Sequence, residues 1–109
     1  PVPAVFSANT VHIMSWPEVQ LFFSRLAGMI TAGGHLCLYG PFNYHGRYSS
    51  DSNAQFDRWL KVQNPHSAIR DFEKVNVLAE GAGLQLQSDT AMPANNRLLH
   101  WQMGGSCDA

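Results

Sequence analysis

The sequence predicts an α/β fold of about four strands and about three helices that closes on an antiparallel hairpin. Three observations predict it. Apolar residues alternate along the chain between short strand-like runs and helical spacing. One apolar run, His35-Leu36-Cys37-Leu38-Tyr39, has glycine on both sides, as suits a strand buried on both faces of a parallel sheet. Late in the chain two strand-like runs flank the polar turn Pro93-Ala94-Asn95-Asn96. The order of strand, helix, strand, helices and two closing strands implies right-handed crossovers.

The first strand is expected from Ala4 to Ala8, continuing through Asn9-Thr10-Val11-His12. A helix start follows at Ser15-Trp16-Pro17-Glu18. Ser15 can accept from a free backbone N–H, Glu18 can reach back, and Pro17 in the first turn costs no helical hydrogen bond. Val19, Phe22, Phe23, Leu26, Met29 and Ile30 continue at helical spacing, and Gly33-Gly34 is the expected stop. The run from His35 to Tyr39 forms the second strand, followed by a polar loop from Gly40 to about Asp51. The next helix carries Phe56, Trp59 and Leu60 on one side and ends before Asn64-Pro65. Asp71 caps a further helix that turns Phe72, Val75, Leu78, Ala79 and Ala82 inward and closes at Gly83. Leu84 to Thr90 and Arg97 to Met103 are the hairpin strands.

A length of 109 residues allows one domain, expected over 1–103, with 104–109 a flexible tail. Hydrophobic residues make up 45% and charged residues 14%, enough for a packed core. The net charge of −1 and the scattered basic residues argue against a nucleic-acid partner. No apolar run is long enough to cross a bilayer, and Pro1-Val2-Pro3-Ala4 lacks signal-peptide character. Cys37 reads as a small buried hydrophobe and Cys107 falls in the tail, so a reducing cytoplasm is the expected compartment. His12, His35, His45, His66 and His100 form no i, i+4 pair and flank no cysteine at ligand spacing, so no metal site is expected. Trp16, Trp59 and Trp101 read as core or interface residues, and Asp57 and Asp71 as carboxylates near helix N-termini.

Several segments taken in order carry a resemblance. They are Ser7-Ala8-Asn9-Thr10-Val11-His12, Tyr39-Gly40-Pro41-Phe42 with Gly46, Ser52-Asn53-Ala54-Gln55-Phe56-Asp57, Asn64-Pro65, Ile69-Arg70-Asp71 and Met92-Pro93-Ala94-Asn95-Asn96-Arg97. The ordered set resembles the C-terminal half of the methyltransferase-like protein 26 family, class I methyltransferases dependent on S-adenosylmethionine. The resemblance covers roughly residues 4 to 103. It implies a Rossmann-like sheet from the fourth strand to the terminal hairpin. It also implies S-adenosylmethionine as the cofactor of the complete fold. The family's glycine-rich turn after the first strand, and its acidic residue for the ribose hydroxyls, have no counterpart in these residues. The isolated chain, a fragment or a natural truncation, is therefore expected to bind little or no cofactor and to be inactive alone.

Ligands of open α/β sheets collect beyond the carboxyl ends of the parallel strands. Three segments end at that edge, Asn9 to Ser15, Gly40 to Asn53 and Met92 to Asn96, and bring Asn9, His12, Tyr44, His45, Asn53, Asn95 and Asn96 to a polar rim. On the resemblance, Asn9 stands on the cofactor side, and His12, Tyr39, Pro41, Asn53, Asn95 and Asn96 stand toward a small-molecule acceptor. His12 is the candidate catalytic base, because imidazole titrates near neutrality. Each has an ordinary structural reading too: a packed histidine, asparagines that tolerate a left-handed turn, a glycine-proline strand exit.

The alternative to an acceptor-side methyltransferase portion is a non-catalytic α/β interaction or oligomerisation module on the same scaffold. In the complete fold the first strand would be paired on both edges. With one edge bare it is expected to associate, as a homodimer or with a chain that supplies the missing strands.

Overall fold

The computed structural model describes residues 1–104. The elements are β1 (Val2–Ala8), α1 (Trp16–Met29), β2 (Ile30–Gly40), α2 (Asp51–Gln63), α3 (Phe72–Gly81), β3 (Leu84–Met92) and β4 (Asn96–Met103), with one 3₁₀ turn at Pro93–Asn95 between the last two strands. They form an α/β fold around one four-stranded mixed sheet in the order β1-β2-β4-β3. β1 runs parallel to β2, and β4 lies antiparallel to both β2 and β3.

Alternation along the strands decides what is buried. Leu36 and Leu38 of β2, with Leu99 and Trp101 of β4, face one way and are buried beneath Val19, Phe23 and Leu26 of α1 and Val75 and Ala79 of α3. The Trp101 indole N–H, which would be costly to bury alone, donates to Asn76 Oδ1 at 2.9 Å. The α1 start has the expected capping box: Ser15 N–H donates to Glu18 Oε1 at 2.8 Å, and Glu18 N–H donates to Ser15 Oγ at 3.3 Å.

Five expectations are corrected. β1 stops at Ala8, because Asn9 takes a positive φ of 56° and the chain coils into a turn in which Ile13 and Met14 N–H both donate to Thr10 C=O. α1 ends at Met29 rather than at the glycine pair, because Ile30 is already extended and buried as the first residue of β2. Gly33 and Gly34 make a bulge instead: the β1–β2 register jumps from Val2↔Ile30 to Ala4↔His35. A Cβ on Gly34 would lie 2.8 Å from the Pro3 carbonyl oxygen and 2.6 Å from Ile30 Cγ2, so close approach of β1 fixes the glycine. β2 is buried on one face only, with His35 exposed and Cys37 and Tyr39 half-buried on the other. Trp59 lies outside, 55% exposed, stacked on Phe56 at 5.9 Å, because the inward stripe of α2 is Asn53, Asp57 and Leu60.

Asp71 occupies the N-cap of α3 but makes no side-chain capping bond; its carboxylate lies 3.8 Å from Lys74 Nζ. Gly83 follows the helix with φ 90°, the left-handed position that closes it. Of the expected tail, Gly104 still donates its N–H to Gly83 C=O, and 105–109, with Cys107, lie outside the described residues. Among the described residues no helix is long and apolar enough to cross a membrane.

Candidate functional site

The carboxyl ends of β1 and β2 open into a cleft of about 390 Å³ lined by Asn9, Pro41, Ser52, Asn53, Phe56, Ala94, Asn95 and Asn96. Three chain segments meet there for backbone reasons. Asn9 leaves β1 in the left-handed region and donates its N–H to Tyr39 C=O at 2.8 Å, which closes the strand end onto β2. Pro41 follows Gly40 at the exit of β2. Across from them, Ala94 and Asn95 take φ values of 61° and 59°, which turns the β3–β4 connection over the first turn of α2.

Amide side chains then lock these segments together. Asn53, 5% exposed, donates through Nδ2 to Ser49 Oγ at 3.0 Å and to the Asn95 carbonyl oxygen at 3.3 Å. Asn95 Nδ2 donates to Ser52 Oγ at 3.1 Å. Asn96 Nδ2 donates to the Pro93 carbonyl oxygen and to the Tyr39 hydroxyl, each at 3.3 Å. Tyr39 therefore stands behind the cleft and holds Asn96, while Asn9, Pro41, Asn53, Asn95 and Asn96 form its wall.

His12 sits beside that wall, 5% exposed, its ring edge-on to Phe56 with centroids 5.5 Å apart. Gly40 is buried between Asn9 and His12. A Cβ there would lie 3.7 Å from both His12 Nδ1 and Asn9 Oδ1. Burial pushes the His12 imidazole below its ordinary value of 6.5, so the ring is neutral at pH 7 and able to accept a proton.

The other two rim residues point elsewhere. Tyr44 stacks on Phe72 at 5.4 Å, donates its hydroxyl to Asp89 Oδ2 at 2.7 Å and lies beneath the Arg97 guanidinium. Burial and donation to that carboxylate hold its phenol above the ordinary tyrosine range. His45, at φ 54°, turns out to solvent beside Glu73. Both residues fasten the 41–50 loop and leave the cleft to others.

Asp57 is the second fastening. It lies in the middle of α2 rather than near its start, and it is 2% exposed. Its carboxylate accepts from the Tyr48 hydroxyl, from Ile69 N–H at 2.9 Å and from Lys61 Nζ at 2.9 Å. Burial works to raise its pKa, and these three donors outweigh it and hold the carboxyl below its ordinary value.

Sequence reasoning missed Ser52, Phe56 and Ala94 as cleft residues. Ser52 had a signal in its position next to Asn53. Phe56 was assigned to packing by its helical spacing. Ala94 had no signal, because alanine does not advertise a left-handed backbone. A separate groove of about 320 Å³ runs beside α1 between Val5, Met14, Leu21, Phe22, Leu26 and Met29, with few polar groups. The edge cleft gathers polar side chains at the carboxyl ends of the parallel strands. Residues 9–15, between β1 and α1, contain no glycine, and no carboxylate lines the cleft.

The family described as "Protein of unknown function (DUF938)" matches residues 1–103. Solved structures share the fold at low identity. An O-methyltransferase family protein from Burkholderia thailandensis superposes with a TM-score of 0.82 at 18% identity, over 96% of this chain and 31% of that one. Human N-acetylserotonin methyltransferase, crystallised in complex with S-adenosylmethionine, gives 0.82 at 14% identity, over 94% and 29%. An O-methyltransferase family 2 protein from Planctomyces limnophilus, in complex with apigenin, gives 0.83 at 15% identity, over 94% and 31%. The chain thus spans under a third of the length of these proteins, and it matches the C-terminal part of their fold.

Proposed function

Because this chain belongs to the DUF938 family of proteins of unknown function, and carries the C-terminal part of a methyltransferase fold, we propose that it forms the acceptor-binding side of an S-adenosylmethionine-dependent methyltransferase. The ordered segments from Ser7 to Arg97 support kinship within that family to methyltransferase-like protein 26. The observation that carries the reading is the cleft: β1, β2 and the β3–β4 turn deliver Asn9, Pro41, Asn53, Asn95 and Asn96 to one site, with a buried neutral imidazole beside it. Alignment of an acceptor against a donor and removal of its proton are the two services methyl transfer to oxygen or nitrogen requires. The cleft residues supply the first and His12, packed on Phe56 of the cleft wall, supplies the second. The cofactor is held chiefly by parts of the fold outside these residues, with Asn9 at the cleft margin on its side.

The test is calorimetric titration of S-adenosylmethionine and S-adenosylhomocysteine into the 109-residue chain and into a form that includes the rest of the fold. Micromolar binding by the complete form, with weak or no binding by the chain, is expected; no binding by the complete form sinks the reading. In the complete form, His12→Gln should lower kcat by roughly 10²-fold or more with little change in KM. The acidic limb of the kcat profile should fall below the ordinary imidazole value of 6.5, because the base works only while neutral.

A second reading, an interaction module, has its own observation. β1 lies at the sheet margin with one edge free of any described strand, and Phe6 on it is 65% exposed. Bare apolar edges associate. We propose that the isolated chain forms a homodimer through this edge, or takes strands from a partner chain. Sedimentation should give a dimer mass that Phe6→Lys reduces to a monomer; a monomeric parent chain overturns it.

A further inference from the structure

Two of the asparagines that close the cleft, Asn53 and Asn96, have spent both amide hydrogens. Asn53 Nδ2 gives its hydrogens to Ser49 Oγ and the Asn95 carbonyl oxygen, and Asn96 Nδ2 points at the Pro93 carbonyl oxygen. Backbone carbonyls only accept, so these contacts fix which end of each amide is nitrogen. Asn95 Nδ2 gives one hydrogen to Ser52 Oγ. What the Asn53 and Asn96 amides have left for a ligand is oxygen. The Oδ1 atoms of Asn53, Asn95 and Asn96 make no hydrogen bond among the described residues, and neither end of the Asn9 amide does.

Asn53 makes the strongest case. Its side chain is 5% exposed, yet its Oδ1 is not among the fully enclosed unpaired atoms, which are Asn43 Oδ1 and Arg70 Nε. A nearly buried carbonyl oxygen that keeps access to a cleft is built to accept a bond from what enters it, since leaving it bare is costly. Asn9 lines the same space with an amide that makes no hydrogen bond, so its oxygen is free to turn to the same ligand. No arginine, lysine or carboxylate lines the space, and Phe56 offers an apolar surface.

From this polarity we propose that the cleft selects ligands that present hydroxyl or amino hydrogens and carry no negative charge. An entering carboxylate or phosphate would lose its hydration with carbonyl oxygens facing it and no cation to replace the water. A hydroxyl or an ammonium would replace that water with amide oxygens. As a statement about the methyl acceptor, this rests on the acceptor-side reading; as a statement about ligand chemistry it is tested without any cofactor.

The probes share one benzyl group: benzyl alcohol, benzylamine, phenylacetate and benzyl phosphate, each titrated into the isotope-labelled 109-residue chain. The signals to follow are the backbone amides of Ala94, Asn95 and Asn96 and the side-chain amide of Asn53. The alcohol and the ammonium should shift them at millimolar concentration, with the two anions weaker by roughly tenfold or more. Asn9→Asp separates the two favoured chemistries. Aspartate tolerates the left-handed backbone and breaks no described side-chain bond. It should tighten benzylamine several-fold and leave benzyl alcohol within about twofold. Anion binding equal to or stronger than that of the alcohol overturns the proposal, and so does a lack of cleft shifts with all four probes. If the complete form fails to bind S-adenosylmethionine while the head-group preference holds, the methyltransferase reading falls and the selectivity stands. The reverse pair of results sinks the selectivity alone.

Discussion

The two faces of the sheet are made by alternate residues of the same strands, and they have opposite characters. On the helix-covered face Leu36, Leu38, Leu99 and Trp101 are each 0–1% exposed. On the other face Phe6 is largely exposed, Cys37 is half-buried, and His35 Nδ1 and His100 Nε2 meet at 2.9 Å with no helix above them. The difference teaches where this chain keeps its stability and where it keeps its capacity for contact. Cohesion comes from one layer of helices on one face. The other face and the β1 edge are surfaces that the described residues do not close for themselves.

Paired substitutions would break this comparison most directly. Trp101→Ala removes the largest fully buried side chain and strands the Asn76 amide oxygen that its indole N–H satisfies. It should cost about 3–5 kcal/mol in urea unfolding. Phe6→Ser, on the bare face, should change stability by no more than about 0.5 kcal/mol in the monomer. Similar losses from both would mean that the second face is also packed, and the contrast would fail.

Asp57 sharpens the comparison at the end of the sheet, where α2 and the 64–71 connection meet without help from the main core. Asp57→Asn keeps the shape but weakens the acceptor shared by Tyr48, Ile69 and Lys61. A loss of about 1–3 kcal/mol is expected by denaturant unfolding at pH 7. The folded carboxyl lies below its ordinary value of 3.8. Its stabilisation is therefore fully present above that value and is lost as pH falls through the lower folded value. The gap between wild type and Asp57→Asn should close below about pH 4. A gap that stays constant into acid would show that the carboxylate charge contributes nothing.

Much of this architecture was legible in the sequence, for identifiable reasons. Ser15, Pro17 and Glu18 wrote the start of α1 unambiguously, since a capping box has few other uses. The hairpin and the convergence of the Asn9, Pro41 and Asn95 segments followed from element order and from the rule that open sheets present ligands at strand ends. What was not legible depended on tertiary contact. Gly33-Gly34 has the same sequence signature as a helix stop and as a bulge, and only the approach of Pro3 distinguishes them. The five residues from His35 to Tyr39 fit a strand covered on one face or on two, and the covering layer is not encoded in them. In the cleft, the asparagines were visible as polar residues. Which end of the Asn53 and Asn96 amides faces outward was set by carbonyls 42 and 3 residues away in sequence.

Ala94 carries a smaller predicted effect than Trp101 or Asp57 and tests the turn that joins β3 and β4 at the cleft. Its φ of 61° and ψ of 34° lie in the left-handed region, where an L side chain crowds the following carbonyl and costs roughly 1–2 kcal/mol. Glycine has no such crowding but brings more freedom to the unfolded chain, a cost of roughly 0.5–1 kcal/mol. Ala94→Gly should therefore stabilise the chain by about 0.5–1 kcal/mol, the opposite sign from the Trp101 and Asp57 changes. Its neighbour Asn95, at φ 59°, already has a side chain that tolerates this backbone, so Asn95→Gly should bring less stability and also lose the bond from Asn95 Nδ2 to Ser52 Oγ. Thermal unfolding of the two glycine variants separates the contributions. A destabilised Ala94→Gly would mean that the turn does not hold the left-handed geometry, and the wall of amides that it positions opposite Asn9 would go with it.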